Sequence, residues 1–370
     1  MKKLIIAPDS FKDSLSNQQA AEIIHQAFLR VKPNYNYKII PISDGGEGLI
    51  ASLTSELKSF QVKGPIGKNI KAEVGFLNEG KTAIVEMAKA SGLELVEKEK
   101  RNPLFTTSYG VGELILNVLN LNVEKIILGL GGSATNDLGL GALTALGIKF
   151  LNKEDKSVGI YGKDLLTVKE VDITNLNQRI LNKEIIIAVD VNNPLSGKTG
   201  ASYVYGPQKG LKKADLKIFD DAFKRVSKLL NQKFNCNYTK TPGSGAAGGL
   251  GYAFMTIANA EVKRGFDVVY ETLNLADKLI EADFLITGEG KIDYQSFFGK
   301  APYSLAKRAK EVSPKIEVYA FTGKKDKLKT LDPFTEIIEI TKPHETLKEA
   351  LKNAKENLFE AALKLTKRIL

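Results

Sequence analysis

The chain has 370 residues, 43% hydrophobic and 26% charged, with a formal net charge of +10 that is carried mostly by lysine. That length exceeds one ordinary core and predicts two domains, while a single cysteine, Cys236, excludes an intrachain disulfide. The lysines are scattered rather than clustered among aromatics, which argues against nucleic acid as a partner, and no apolar run reaches membrane-spanning length, so the expected setting is the cytoplasm with no membrane partner.

Strand-like runs recur along the chain, most of them ending in glycine or an acid: 4–10 (LIIAPDS), 38–48 (KIIPISDGGEG), 125–133 (KIILGLGGS), 184–194 (EIIIAVDVNNP), 283–290 (DFLITGEG) and 318–326 (VYAFTGKKD). After the first, residues 16–31 place Ala20, Ile23, Ile24, Ala27 and Val31 on one helical face, with Ser16 as the N-cap. Residues 60–87 alternate instead, with GPIGKN and NEGK as turns, and predict antiparallel hairpins. From Thr346 onward, Leu347, Leu351, Ala354, Leu358, Ala361, Leu365 and Ile369 form a stripe that predicts a docking helix. Near-continuous apolar strands alternating with helices predict a parallel α/β sheet covered on both faces, and the irregular middle predicts a second domain inserted into the first.

Each of the six runs delivers a polar, glycine-bearing turn at its C-terminal end, where ligands bind in open α/β sheets. Asp9, Ser10, Lys12, Asp44, Glu47, Ser133, Asn136, Asp137, Asp190, Asn193, Glu289 and Asp293 are thereby predicted to converge. The two histidines, His25 and His344, lie outside these turns, and no zinc-ligand spacing occurs, so Ser-His-Asp, Cys-His and zinc chemistry are not expected. Carboxylates, lysines and bare backbone amides are what phosphoryl transfer uses: oxygen ligands for Mg²⁺, cations for phosphates and N–H groups for charged oxygens. The usual phosphate loop is absent, because NNPLSGKTG (192–200) has Asn192 where its first glycine is required. Gly129, Gly131 and Ala134 do fit a dinucleotide fingerprint, with Glu154 and Asp155 at the distance of a ribose-binding acid. An NAD(P)-dependent oxidoreductase using the Gly129–Ala134 turn is therefore an alternative reading.

APDSFKDSLS (7–16), DGGEG (44–48), GLGGSATND (129–137), NPLSGKTGAS (193–202), YGPQKG (205–210), PGSGAAGGLG (242–251) and TGEGKIDYQSFFGK (287–300) resemble, in order, the signature blocks of the type I glycerate kinases. The resemblance implies ATP-dependent, Mg²⁺-assisted phosphorylation of D-glycerate, with 2-phosphoglycerate as the product associated with the family. It also implies a Rossmann- or flavodoxin-like parallel-sheet domain, placed at 1–60 plus 275–370, and an inserted mixed-sheet α/β domain at 61–274, with the active site in the cleft between them. Asp13 stands where the family pattern usually has glycine, and Lys291 where it has arginine. The Asp13 departure is the one foothold for a second alternative, a catalytically inactive sugar-acid sensor.

On this reading Lys12 contacts phosphate, and Gly131, Gly132, Ser133 and the amides through Ala134 offer a helix N-terminus to either the glycerate carboxylate or a nucleotide phosphate. Asn136 and Asp137 orient that ligand or cap the helix. Asp44 and Glu47 form a Mg²⁺-facing pair or, at capping-box spacing, a helix cap. Asp190, following the very apolar IIIAV, is expected to be the general base or hydroxyl-orienting group, since a buried charge there needs a function. Glu289 and Asp293 are candidates for metal or substrate contacts. Ser10, Asn193, Arg264 and Lys300 complete the substrate and phosphate contacts, with Lys209 and Lys291 as further cations.

Overall fold

The computed structural model describes residues 3–43, 48–294, 296, 299–326 and 330–370. Contacts divide the chain into one unit of residues 1–44, 51–53 and 266–370 and another of residues 45–50 and 54–265.

In the first unit, strands Lys3–Ile6, Asn36–Ile39, Phe284–Ile292, Glu317–Lys325 and Glu336–Glu339 pair in parallel throughout. Counted along the unit, their order across the sheet is 2-1-3-4-5, the flavodoxin-like arrangement. The chain leaves for the second unit after the Asn36–Ile39 strand and returns before the Phe284–Ile292 strand. The helix Asn17–Val31 starts where its spacing predicts. Ser16 Oγ accepts from the Gln19 N–H, and Gln19 Oε1 accepts from the Ser16 N–H, which satisfies two otherwise orphaned donors. Its Ala20, Ile24 and Phe28 join Leu4, Ile6, Ile286 and Phe321 in one core. The C-terminal helix Leu347–Ile369, capped by Thr346 and Glu349, docks there through Leu358, Ala362 and Leu365. The predicted stripe overreaches at its start: Leu347 is 77% exposed, and the first fully buried residue of the helix is Ala354. The first turn precedes the point at which the helix meets the core.

In the second unit, a six-stranded sheet has the order Glu261–Lys263, Glu184–Ala188, Lys125–Gly129, Thr82–Glu86, Asn69–Leu77, Leu57–Lys63. The first four are parallel. The last three form the antiparallel meander that the alternating pattern of residues 60–87 predicts. Ile126, Leu128, Ile185 and Ile187 anchor the core on the parallel strands, and Val74 and Phe76 on the meander. Strands Lys149–Leu151 and Glu170–Asp172 make a separate antiparallel pair.

The glycine-rich stretch 242–251 is a tightly packed turn. Ala247, Gly248 and Gly249 interrupt the helix Ala246–Ala258 with left-handed backbone, at φ 50°, 66° and 94°. A Cβ on Gly248 would lie 2.2 Å from the Thr135 carbonyl oxygen and 2.6 Å from Asn136 Cα. The Gly248 carbonyl in turn accepts from the Leu138 N–H at 2.9 Å. Side chains are thus excluded where this turn meets residues 135–138.

Gly248→Ala is expected to lower unfolding free energy by about 3 kcal/mol or more, because a strained backbone and a backbone collision add. Gly197→Ala is the control: φ there is 95°, but the added methyl meets nothing within 4 Å, so about 1 kcal/mol of backbone strain is expected. Urea unfolding of both variants checks the difference, and equal losses would show that the close approach to residue 135 carries no weight.

Candidate active site

The strand order of the first unit reverses between Lys3–Ile6 and Phe284–Ile292, and the crevice beyond the ends of such strands is the preferred ligand position. The turn after Lys3–Ile6 is tied across it: the Asp9 N–H donates to the Gly288 carbonyl at 2.8 Å, and Asp9 Oδ1 accepts from the Ser10 N–H at 2.6 Å. Ser10 and Lys12 are exposed on this turn. Asp13 has φ 63°, the left-handed conformation that favours glycine, which explains why the family pattern has glycine at this position. Its side chain is exposed and the helix cap is Ser16.

From the Phe284–Ile292 strand comes Glu289, only 7% exposed. Its Oε2 accepts from Lys300 Nζ at 3.0 Å, while Oε1 has no hydrogen-bond partner among the described residues. Burial pushes this carboxyl above its usual range, against the opposing pull of Lys300 and Ser296. Asp293 lies 3.0 Å from Lys291, which also reaches Asp326 at 2.9 Å. Burial raises the Asp293 carboxyl, but Lys291 and then Lys300 outweigh it and hold it below the ordinary value. Asp44 and Glu47 lie outside the described residues.

In the second unit the chain leaves strand Lys125–Gly129 through residues 130–139 and enters a helix only at Leu140–Ala145. The expected helix N-terminus at Gly131–Ala134 is therefore a loop, because Asp137 and the contact with Gly248 hold the chain out of helical conformation for several more residues. Leu130 N–H donates to the Ala188 carbonyl and Ala134 N–H to the Ser91 carbonyl, at 3.2 and 2.9 Å. Between them the N–H groups of Gly131, Gly132 and Ser133 meet no acceptor among the described residues.

Beneath this loop lies Lys209, from the 3-10 turn Pro207–Lys209, only 3% exposed. Its Nζ donates to Ser133 Oγ and to the Thr135 carbonyl, both at 2.7 Å. Burial pushes its pKa down to about 7, a shift that the Asp137 carboxylate partly offsets. Asp137 is itself buried, and its oxygens accept from Ser108 N–H (2.9 Å), Ser108 Oγ (2.7 Å), Gly139 N–H (3.1 Å) and Gly141 N–H (3.3 Å). Burial raises its carboxyl above the usual range in spite of these four donors. These contacts tie Asp137 to its own loop, to the first turn of the Leu140–Ala145 helix and to Ser108. Asn136 is also buried, with Nδ2 donating to Ser202 Oγ at 3.0 Å, and Thr135 Oγ1 and Asn136 Oδ1 have no hydrogen-bond partner among the described residues. The sequence ranked Lys209 only as a further cation and missed Ser108 and Ser202. Lys209 does sit between Pro207 and Gly210, a local sign of a constrained turn.

Asp190 departs from expectation. Strand Glu184–Ala188 ends two residues earlier and Asp190 is exposed, so the argument from a buried charge does not apply to it. It still leaves the strand next to the one that feeds Gly131–Ser133. Asn193 is engaged within its own loop, donating to the Thr199 carbonyl at 2.8 Å and accepting from the Tyr205 hydroxyl. Arg264 is exposed and lines a cavity of about 350 Å³ with Val189, Tyr238, Met255 and Val262. Glu154, the acid in the dinucleotide alternative, is exposed beside Lys156, and the strand preceding it pairs antiparallel in the separate two-stranded sheet.

Within each α/β unit, carboxylates, lysines or open amides near the ends of parallel strands are groups suited to binding small anions. The family pattern described as the glycerate kinase family matches residues 4–370. The chain is similar to a glycerate kinase of Haemophilus influenzae, 41% identical over 97% of each chain. It is also similar to a glycerate 2-kinase of Escherichia coli K12, 42% identical over 84% of this chain and 82% of that one. A Salmonella typhimurium LT2 protein whose crystal structure is assigned to glycerate kinase 2 superposes with a TM-score of 0.88 at 38% identity, covering 100% of this chain and 98% of that one. The chain belongs to the glycerate kinase family. It is a phosphotransferase with an alcohol group as acceptor and ATP as donor.

Because Lys209 holds its proton less tightly when folded (about 7) than at its ordinary value of 10.5, the unfolded chain carries the extra proton between those values. Stability attributable to this group therefore rises with pH across that window and levels off below it. Lys209→Met is expected to remove up to about 1.4 kcal/mol per pH unit of this slope between pH 7.5 and 9.5. Urea midpoints measured across that range check it, and an unchanged slope would show that Lys209 titrates normally.

Proposed function

We propose that this chain transfers the terminal phosphoryl group of Mg-ATP to the 2-hydroxyl of D-glycerate, giving 2-phosphoglycerate. The observation that carries the reading is the loop of open amides over the buried Lys209 in the second unit; separately, in the first unit, the buried Glu289 carboxylate has one oxygen without a hydrogen-bond partner among the described residues. Phosphoryl transfer depends on positioning and charge stabilisation, which these groups supply without a covalent nucleophile. The naming of one similar protein as a glycerate 2-kinase supports the choice of hydroxyl.

In the first unit Lys12 and Lys300 attract the phosphate oxygens, and the Ser10 turn lines their approach. Glu289, whose Oε1 is a hard oxygen donor without a partner, and Asp293 suit a Mg²⁺ ion, which takes one or two carboxylates together with substrate phosphates. The sequence adds Asp44 and Glu47 to that set. Bound there, the ion would neutralise charge on the phosphate oxygens. In the second unit Gly131, Gly132 and Ser133 present their amides to an anion, and Asn136 and Asp137 hold the loop in shape. Asp190 orients the acceptor hydroxyl, while Asn193 and Arg264 flank it from the neighbouring strand ends.

The test is ATP, Mg²⁺ and D-glycerate assayed by two couplings, one through enolase alone and one with phosphoglycerate mutase added. Signal at similar rates in both is expected. Signal only with mutase would place the phosphate on the 3-hydroxyl, and silence in both would overturn the kinase reading for this chain.

A further inference from the structure

The loop after strand Lys125–Gly129 could take either a carboxylate or a phosphate, and the groups beneath it favour one of them. Lys209 is enclosed, and both of its hydrogen-bond partners, Ser133 Oγ and the Thr135 carbonyl, are neutral. The third N–H of its ammonium has no acceptor among the described residues. A cation held this way lacks the anion that would compensate its burial, and a bound ligand can supply it. The neighbouring charges do not. Asp137 acts on Lys209 from the loop, but its oxygens are already engaged by Ser108, Gly139 and Gly141. Tyr205, on the preceding helix, is kept un-ionised by burial. Arg101, whose carbonyl abuts Gly210, directs its guanidinium at the Val96 carbonyl.

The chemistry of the stretch also discriminates between ligands. Asn136 Oδ1 and Thr135 Oγ1 are buried without hydrogen-bond partners among the described residues, and a carbonyl oxygen such as Asn136 Oδ1 is answered only by a donor. A fully ionised phosphate offers acceptors alone, whereas a hydroxy acid brings a carboxylate and hydroxyl donors together. Lys209 is the lysine that hydrogen-bonds this loop, and Lys71 and Lys89 line a cavity of about 490 Å³ that Gly132 also lines, so the preference for one carboxylate rests on the donors that Asn136 and Thr135 call for and not on a scarcity of cations.

We propose that Lys209 is a positioning residue for the carboxylate of the hydroxy acid: it holds Ser133 from below and supplies the positive charge with which the Gly131-Gly132-Ser133 loop takes one carboxylate in preference to a phosphate. This rests on the kinase reading above and assigns the acceptor substrate, rather than the nucleotide, to the loop. Lys209→Met replaces a buried cation with an apolar chain of similar length, so the fold is expected to survive.

The test is calorimetric binding of D-glycerate and, separately, of a non-hydrolysable ATP analogue with Mg²⁺, to wild type, Lys209→Met and Lys209→Arg. Titrations at pH 7.5 in two buffers of different ionisation heat count the protons exchanged. Lys209→Met is expected to weaken glycerate about 30-fold, the value of a charge-assisted contact, with the nucleotide changed by less than about threefold. Wild type should take up part of a proton when glycerate binds. Lys209→Arg should recover part of the affinity and none of the proton uptake, because arginine is always charged. Weakened nucleotide with unchanged glycerate would assign the loop to phosphate, and no change in either would leave Lys209 a structural residue; both overturn the proposal while the kinase reading stands. Wild type that binds no glycerate would overturn both.

Discussion

The second unit is organised around one close approach. The left-handed turn at Ala247–Gly249 comes down on residues 135–138 so tightly that backbone meets backbone, with the Leu138 N–H bonded to the Gly248 carbonyl. From the other side Asp137 collects four donors from Ser108, Gly139 and Gly141. Clamped between these, the chain cannot enter a helix until Leu140, and the stretch before it stays a loop in which the N–H groups of Gly131, Gly132 and Ser133 meet no acceptor among the described residues. Everything proposed for this loop depends on that restraint, because an amide cradle is selective only if its shape is held before the ligand arrives.

Electrostatically the two units differ. In the first, cations and carboxylates at the strand ends are paired and mostly accessible, as in Lys291 with Asp293 and Asp326. Such pairs contribute little to stability and are easily rearranged by a charged ligand. In the second, Lys209 and Asp137 are both removed from water, and each is displaced toward its neutral form. A fold gains nothing in stability from a lysine enclosed against neutral oxygens, so its presence points to the ligand. Glu289 is the counterpart in the first unit, an enclosed carboxyl with one oxygen unanswered.

What the sequence reveals follows the range of the interactions involved. The cap at Ser16 was legible because its partner Gln19 lies three residues on, and the 60–87 meander because its period and turns are local; the cap at Thr346, of the same local kind, was not read. The polar ends of the runs at 4–10 and 125–133 were legible for the same reason, but the turns expected at 287–290 and 322–326 are not there: the paired strands Phe284–Ile292 and Glu317–Lys325 run through those glycines, so Glu289 sits within a strand. Longer-range effects were not legible. Nothing near Gly131 says that the helix is delayed to Leu140, because the cause is the distant Gly248 turn. The burial of Asp190 was misjudged because an apolar run does not reveal where its strand ends. Lys209 reads as one lysine among many in a basic chain, and only the packing of Ser133 and Thr135 over it shows that it is enclosed. The 2-1-3-4-5 strand order likewise emerges only once the second unit is seen to be inserted between strands two and three.

Hydrogen–deuterium exchange at the backbone amides of residues 130–138 tests the central claim most directly. It would be measured with D-glycerate and, separately, with a non-hydrolysable ATP analogue and Mg²⁺. The account predicts that glycerate slows exchange at Gly131, Gly132 and Ser133 while the nucleotide leaves them unchanged. Protection by the nucleotide alone would contradict it and place the phosphates, not the acceptor acid, on this loop.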